Sequence, residues 1–164
     1  MSATVIRQAR EEDFPAQMAL YEDARRFMAE SGNPRQWGPN RWPPEELIRR
    51  DTAAGHGYVC ETDGQITGTF FFDAGEEIEP TYSVITEGGW IGSGPYGVVH
   101  RIAAMGCGRI CLEWAFAQCG HLRVDTHPDN RPMQRLLDKC GFVRCGIIHV
   151  PQDSDPRLAY EKIR

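Results

Sequence analysis

The chain has 164 residues, 41% of them hydrophobic and 25% charged, with a net charge of −5 and a pI near 5.5. A polypeptide of this size buries about two-thirds of its unfolded surface, so residues 1–164 are expected to fold as one domain without a disulfide or metal staple. The acidic balance argues against a nucleic-acid or anionic-membrane partner. No apolar run nears the roughly 18 residues of a membrane span, and the N-terminus has no signal-peptide core, so a cytoplasmic protein is expected.

Residues 4–6 predict a short strand. Asp13 is placed to cap a helix with Pro15 in its first turn, and Phe14, Met18, Tyr21, Arg25 and Met28 recur at helical spacing until Ser31-Gly32-Asn33-Pro34. A loop rich in Trp, Pro and Gly spans 34–44, and a second short helix spans 45–54. Thr62-Asp63-Gly64, between strand-like stretches at 57–61 and 66–73, is a hairpin signal. The acidic, glycine-rich segment 75–94 predicts an insertion or lid rather than core.

Residues 96–104 predict a strand, and Met105-Gly106-Cys107-Gly108 leads into a helix over 109–119. A strand at 122–126, a helix at 130–140 stopped by Gly141, and strands at 142–150 and 158–163 complete a mixed α/β chain, with a hairpin early and crossovers late.

The six cysteines include no Cys-x-x-Cys pair. Cys107 and Cys111 share a helix face, with Cys119 and His121 near that helix's end, which leaves a metal-binding module as a minor alternative reading. Buried reduced thiols and no metal are expected.

A helix entered through glycines presents unpaired N–H groups and the positive end of its dipole, which suits a phosphate. Gly106 and Gly108 would let an oxygen approach the backbone. The pattern is neither the Rossmann fingerprint nor a P-loop.

His100-Arg101-Ile102-Ala103, Asp125-Thr126-His127 with Asn130, and Met133-Gln134 through Gly141-Phe142 together resemble the GNAT superfamily, the acetyl-CoA-dependent N-acetyltransferases. They are most similar to a bacterial subgroup, which residues 145–148 and 157–160 also resemble, and the N-terminal half fits the same layout. The resemblance implies a mixed, twisted central sheet flanked by helices, whose fourth and fifth strands splay to admit the pantetheine arm of acetyl-CoA. It places the arm on Ile102, Ala103 and Ala104, and the pyrophosphate on the N–H groups of Met105, Gly106, Cys107, Gly108, Arg109 and Ile110. Asn130 would touch the cofactor, and Met133 and Leu137 would wall the arm.

Two positions depart from the family. Ala103 stands where Gln or Arg is usual, with Arg109 or Arg131 available to compensate. Leu136-Leu137 replaces the Leu-Tyr pair that protonates the departing thiolate in many relatives, leaving Tyr160 or water for that role.

An acceptor ammonium must lose its proton before it attacks, and His100 is the candidate base, with His127 and Glu87 as alternatives. Tyr21, Trp37, Tyr82 and Trp90 are expected to line the acceptor pocket together with Trp42, and Glu22, Asp23 or Glu87 to hold an ammonium. The function implied is direct transfer of acetyl to a primary amine of a small molecule. The alternative is a non-catalytic acyl-CoA-binding domain. An exposed edge at 158–163 would allow a homodimer.

Overall fold

A computed structural model describes residues 3–164. Seven strands, β1 (Thr4–Gln8), β2 (Gly57–Thr62), β3 (Gln65–Gly75), β4 (Tyr96–Ala104), β5 (His121–Thr126), β6 (Val143–His149) and β7 (Pro156–Ile163), form one sheet in the order β1-β2-β3-β4-β5-β7-β6. Four α-helices flank it: α1 (Phe14–Glu30), α2 (Glu45–Ala53), α3 (Gly108–Cys119) and α4 (Arg131–Lys139). None is long and apolar enough to cross a membrane.

Strand alternation divides the core. Phe70 and Phe72 of β3 pack with Cys111, Leu112 and Ala115 of α3 and Leu137 of α4. Thr69, the residue before Phe70, accepts from the Gln17 carboxamide of α1, and Ala103 packs with Leu20, Tyr21 and Ile48 from the α1–α2 layer. The β2–β3 hairpin closes through Asp63 and Gly64, both left-handed at φ 51° and 80°, as a type I′ turn requires.

Three expectations need correction. Asp13 does not cap α1 with its side chain. The carboxylate turns back to accept from the Arg10 N–H at 2.7 Å and pairs with Arg7, whose hydrogen bonds hold it below the usual range.

The segment 75–94 is no free lid. Tyr82 is 2% exposed in a cluster with Tyr96, Val98, Ile148 and Ala159. Thr86 bridges to Ile147, and the Ile91 and Gly92 N–H groups donate to the buried carboxylate of Glu161. Nor is 158–163 an edge, because β7 lies between β5 and β6.

The sheet's one parallel pair, β4–β5, is registered only at Gly97↔Leu122 and Val98↔Arg123. Beyond Val98 the two strands part. Each keeps its outer partner, β3 or β7, so the opening runs through the middle of the sheet.

Candidate active site

The opening is shaped by a bulge in β4. Register with β3 slips between Thr69 and Phe71, and Arg101 takes a left-handed backbone at φ 52°, costly for a side chain with a Cβ. Three contacts hold it there. The Tyr21 hydroxyl donates to the Arg101 carbonyl at 2.8 Å, the guanidinium reaches both Asp51 oxygens at 3.0 and 3.1 Å, and it stacks 4.6 Å above the Phe71 ring.

One cavity of about 270 Å³ opens beside this bulge, lined by His100, Arg101 and Ile102 from β4 and Val124, Asp125 and Thr126 from β5. His100 lies between two carboxylates. Its Nε2 is 2.6 Å from Glu79 Oε1, at an angle outside hydrogen-bond geometry, and its Nδ1 is 3.9 Å from Asp125 Oδ1. Burial pushes Glu79 up, but His100 and the Thr81 N–H outweigh it, and its carboxyl settles below the usual range.

Asp125 Oδ1 accepts from the Tyr82 hydroxyl at 2.6 Å. Burial first, and the Asp125 charge second, hold Tyr82 well above the ordinary phenol range, so it remains a donor. The arginines of the cavity are already paired, Arg101 to Asp51 and Arg157 to Asp153. Among the described residues no Lys or Arg forms an ion pair with Glu79 or Asp125.

A larger cavity of about 730 Å³ lies between α1 and the starts of α3 and α4. Leu20, Ala24 and Phe27 form one wall, Pro132, Met133 and Leu136 the other, and Ile102–Ala104 the floor. Gly106 and Gly108 stand at its end. The α3 N-cap, Cys107, makes no side-chain cap, and the N–H groups of Gly108, Arg109 and Ile110 donate no hydrogen bond among the described residues. Met28, Ile102, Asn130 and Met133 line both cavities, which therefore meet where β4 and β5 part.

A family model for the GNAT acetyltransferase domain matches residues 4–143. A GNAT-family acetyltransferase from Streptococcus agalactiae is 31% identical, covering 98% of this chain and 95% of its own, with a TM-score of 0.84. The chain belongs to the GNAT acetyltransferase family. A Listeria monocytogenes GNAT acetyltransferase (17% identity, 97% and 94% covered, TM-score 0.68) shares the fold. So does yncA of Salmonella typhimurium, whose structure holds its cofactor acetyl-CoA (18% identity, 99% and 94% covered, TM-score 0.58). No curated protein matches the chain.

Within this GNAT fold the expected residues separate. Ile102, Ala103, Ala104, Met105, Gly106, Gly108, Arg109, Asn130 and Met133 line the larger cavity. Three others do not. Cys107 is buried on its far side, Ile110 faces solvent, and Leu137 is fully buried while its neighbour Leu136 supplies the wall. The Asn130 carboxamide caps α4 by accepting from Met133 N–H at 3.2 Å and donates to Gln36.

Trp37 and Trp42 line the smaller cavity beside His100. Tyr21 and Tyr82 sit behind it, supporting the bulge and Asp125. Trp90 lies elsewhere, stacked on Arg123 at 4.2 Å with its indole N–H on the Tyr82 carbonyl. Tyr160 is a correction too: it packs in the core with Cys140 and Phe142 and lines neither cavity.

His127 accepts from the Asp129 N–H at Nδ1, so its Nε2 carries the proton donated to Asp155 at 2.8 Å, which orders the loop. Glu22 pairs with Arg25 and Arg41, Asp23 lines the other cavity, and Glu87 is exposed. The carboxylates at the histidine are instead Glu79 and Asp125. Asp125 stood within a quoted motif, but nothing local marked Glu79, which reaches the site only through long-range folding.

Proposed function

We propose that this protein transfers acetyl from acetyl-CoA directly to the primary amine of a small, positively charged molecule. The observation that carries the reading is the meeting of the two cavities at Ile102, Asn130 and Met133, with His100 on the smaller side. Acetyl-CoA fits the larger one. Its floor and walls are apolar where a pantetheine arm would run, and open N–H groups at the α3 start suit the pyrophosphate. Gly106 has open space around its Cα, and a Cβ on Gly108 would come within 2.9 Å of Leu136.

The smaller cavity then takes the acceptor. Glu79 and Asp125 add negative charge that no arginine neutralises, which favours an ammonium over an anion. Trp37 and Trp42 add aromatic faces for the rest of a cationic molecule. His100 takes the proton as the amine becomes a nucleophile, and the two carboxylates stabilise the resulting imidazolium. A backbone N–H at the bulge, near Ile102 or Ala103, meets the developing oxyanion. Because Tyr160 is in the core, the departing thiolate, of ordinary pKa about 8.5, takes its proton from water.

The test follows release of the CoA thiol across a panel of small amines, with acetyl-CoA binding measured separately. His100→Gln is expected to lower kcat by about 10²- to 10⁴-fold, the usual share of a general base, with acetyl-CoA affinity unchanged. Full turnover in His100→Gln would remove the histidine from the mechanism. Binding without turnover of any amine by the unaltered protein would return the chain to the non-catalytic alternative.

A further inference from the structure

Three sulfurs meet beneath the turn that opens α3. Cys60 comes from β2, Cys107 stands between Gly106 and Gly108, and Cys111 lies one turn into the helix. All three are buried, unoxidised, and within 4.8 Å of one another. Gly68 makes the room: a Cβ there would sit 2.6 Å from Cys107 Sγ and 3.3 Å from Cys60 Cβ. Thr67 completes the surroundings, its hydroxyl donating to Cys107 Sγ at 3.6 Å and its carbonyl lying 3.5 Å from that sulfur.

The cluster differs from thiols that merely fill a core. Cys107 is its hub, at the N-cap of α3, where the helix dipole favours a thiolate. Hydrogen bonding from Cys111 above all lowers the Cys107 thiol to about 6 in spite of burial. Burial, with Cys107 second, raises Cys60 to about 11, whereas for Cys111 the contact with Cys107 comes first and burial second in raising it.

We propose that Cys60, Cys107 and Cys111 form a three-coordinate site for a soft, thiolate-seeking cation, copper(I) being the ion it fits. Three equal metal–sulfur bonds of about 2.3 Å set the sulfurs about 4 Å apart, so a contraction of under about 1 Å closes the site. No carboxylate or imidazole joins the group among the described residues, which turns away calcium and magnesium. The same lack of a fourth donor leaves zinc's usual tetrahedron incomplete. Binding expels thiol protons, so uptake strengthens as pH rises. The site stands apart from the acetyl-transfer reading, because none of the three cysteines lines either cavity.

The test is an anaerobic titration of the reduced full-length protein with copper(I) held by a bicinchoninate competitor. One equivalent is expected to transfer to the unaltered protein and to Cys145→Ala, and none to Cys107→Ser or Cys111→Ala. X-ray absorption on the unaltered, copper-loaded protein needs no variant, and three sulfur neighbours at about 2.3 Å are expected. Failure to take copper from the competitor, uptake that survives Cys107→Ser, or a shell of nitrogen or oxygen would each overturn the proposal.

Discussion

At the residue scale the site turns on one imidazole between two carboxylates. In the proposed reaction each carboxylate would offer a charged acceptor to a cationic amine, and such contacts are worth about 1.5–3 kcal/mol. Asp125→Asn is therefore expected to raise KM for a cationic amine by about ten- to a hundredfold, with a smaller effect on a neutral amine, in initial-rate assays. Equal effects on both amines would contradict a charge-based role. Tyr160→Phe should leave kcat and its pH profile unchanged, because that ring lines neither cavity. His100 and Asp125 were visible as residues within motifs, since neighbouring strand positions keep their spacing on folding. Glu79 was not, because only the packing of Tyr82 and Tyr96 brings its loop to the β4–β5 opening.

At the scale of elements, two pieces of the fold position the chemistry. The β4 bulge is held by the hydrogen bond from Tyr21 to the Arg101 carbonyl. Tyr21→Phe should cost about 1 kcal/mol in denaturant unfolding, the usual net worth of such a bond, and should lower kcat more than it alters acetyl-CoA affinity. The second piece is the anchor of residues 91–92 on Glu161. This carboxylate is 1% exposed, and it meets His121 at 2.6 Å and Arg123 at 2.8 Å besides the two N–H groups.

Glu161→Gln leaves the Arg123 charge buried without its partner and is expected to cost about 3–5 kcal/mol. Burial alone would raise the Glu161 pKa, but the bonds from His121, Arg123, Ile91 and Gly92 bring it below its ordinary 4.5. Its stabilisation is thus complete above that value and drains away as pH falls through the lower folded pKa. Acid unfolding of Glu161→Gln should lack that component. Local composition made segment 75–94 look like a lid, since glycine and acidic residues usually mark solvent. Its anchors lie about 70 residues away in sequence, beyond the reach of any local pattern. The hairpin at Asp63-Gly64, by contrast, was fully legible, because two residues dictate that turn.

At the scale of the whole molecule, the sheet divides its labour. Its outer strands are paired along their length, whereas β4 and β5 touch at two residue pairs and then open a passage between the two cavities. The order of strands and helices was readable from hydrophobic periodicity and turn residues. The position of β7 inside the sheet was not, since an edge and an interior strand of this length read alike. The proposed reaction stands on acetyl-CoA occupying the larger cavity. Thermal unfolding with acetyl-CoA, CoA and a nicotinamide dinucleotide tests it most directly. At 100 times the dissociation constant a bound ligand adds about 2.7 kcal/mol, several degrees for a chain of this length. That rise is expected for both CoA forms and none for the dinucleotide; no rise for either CoA form would mean that the larger cavity does not take acetyl-CoA.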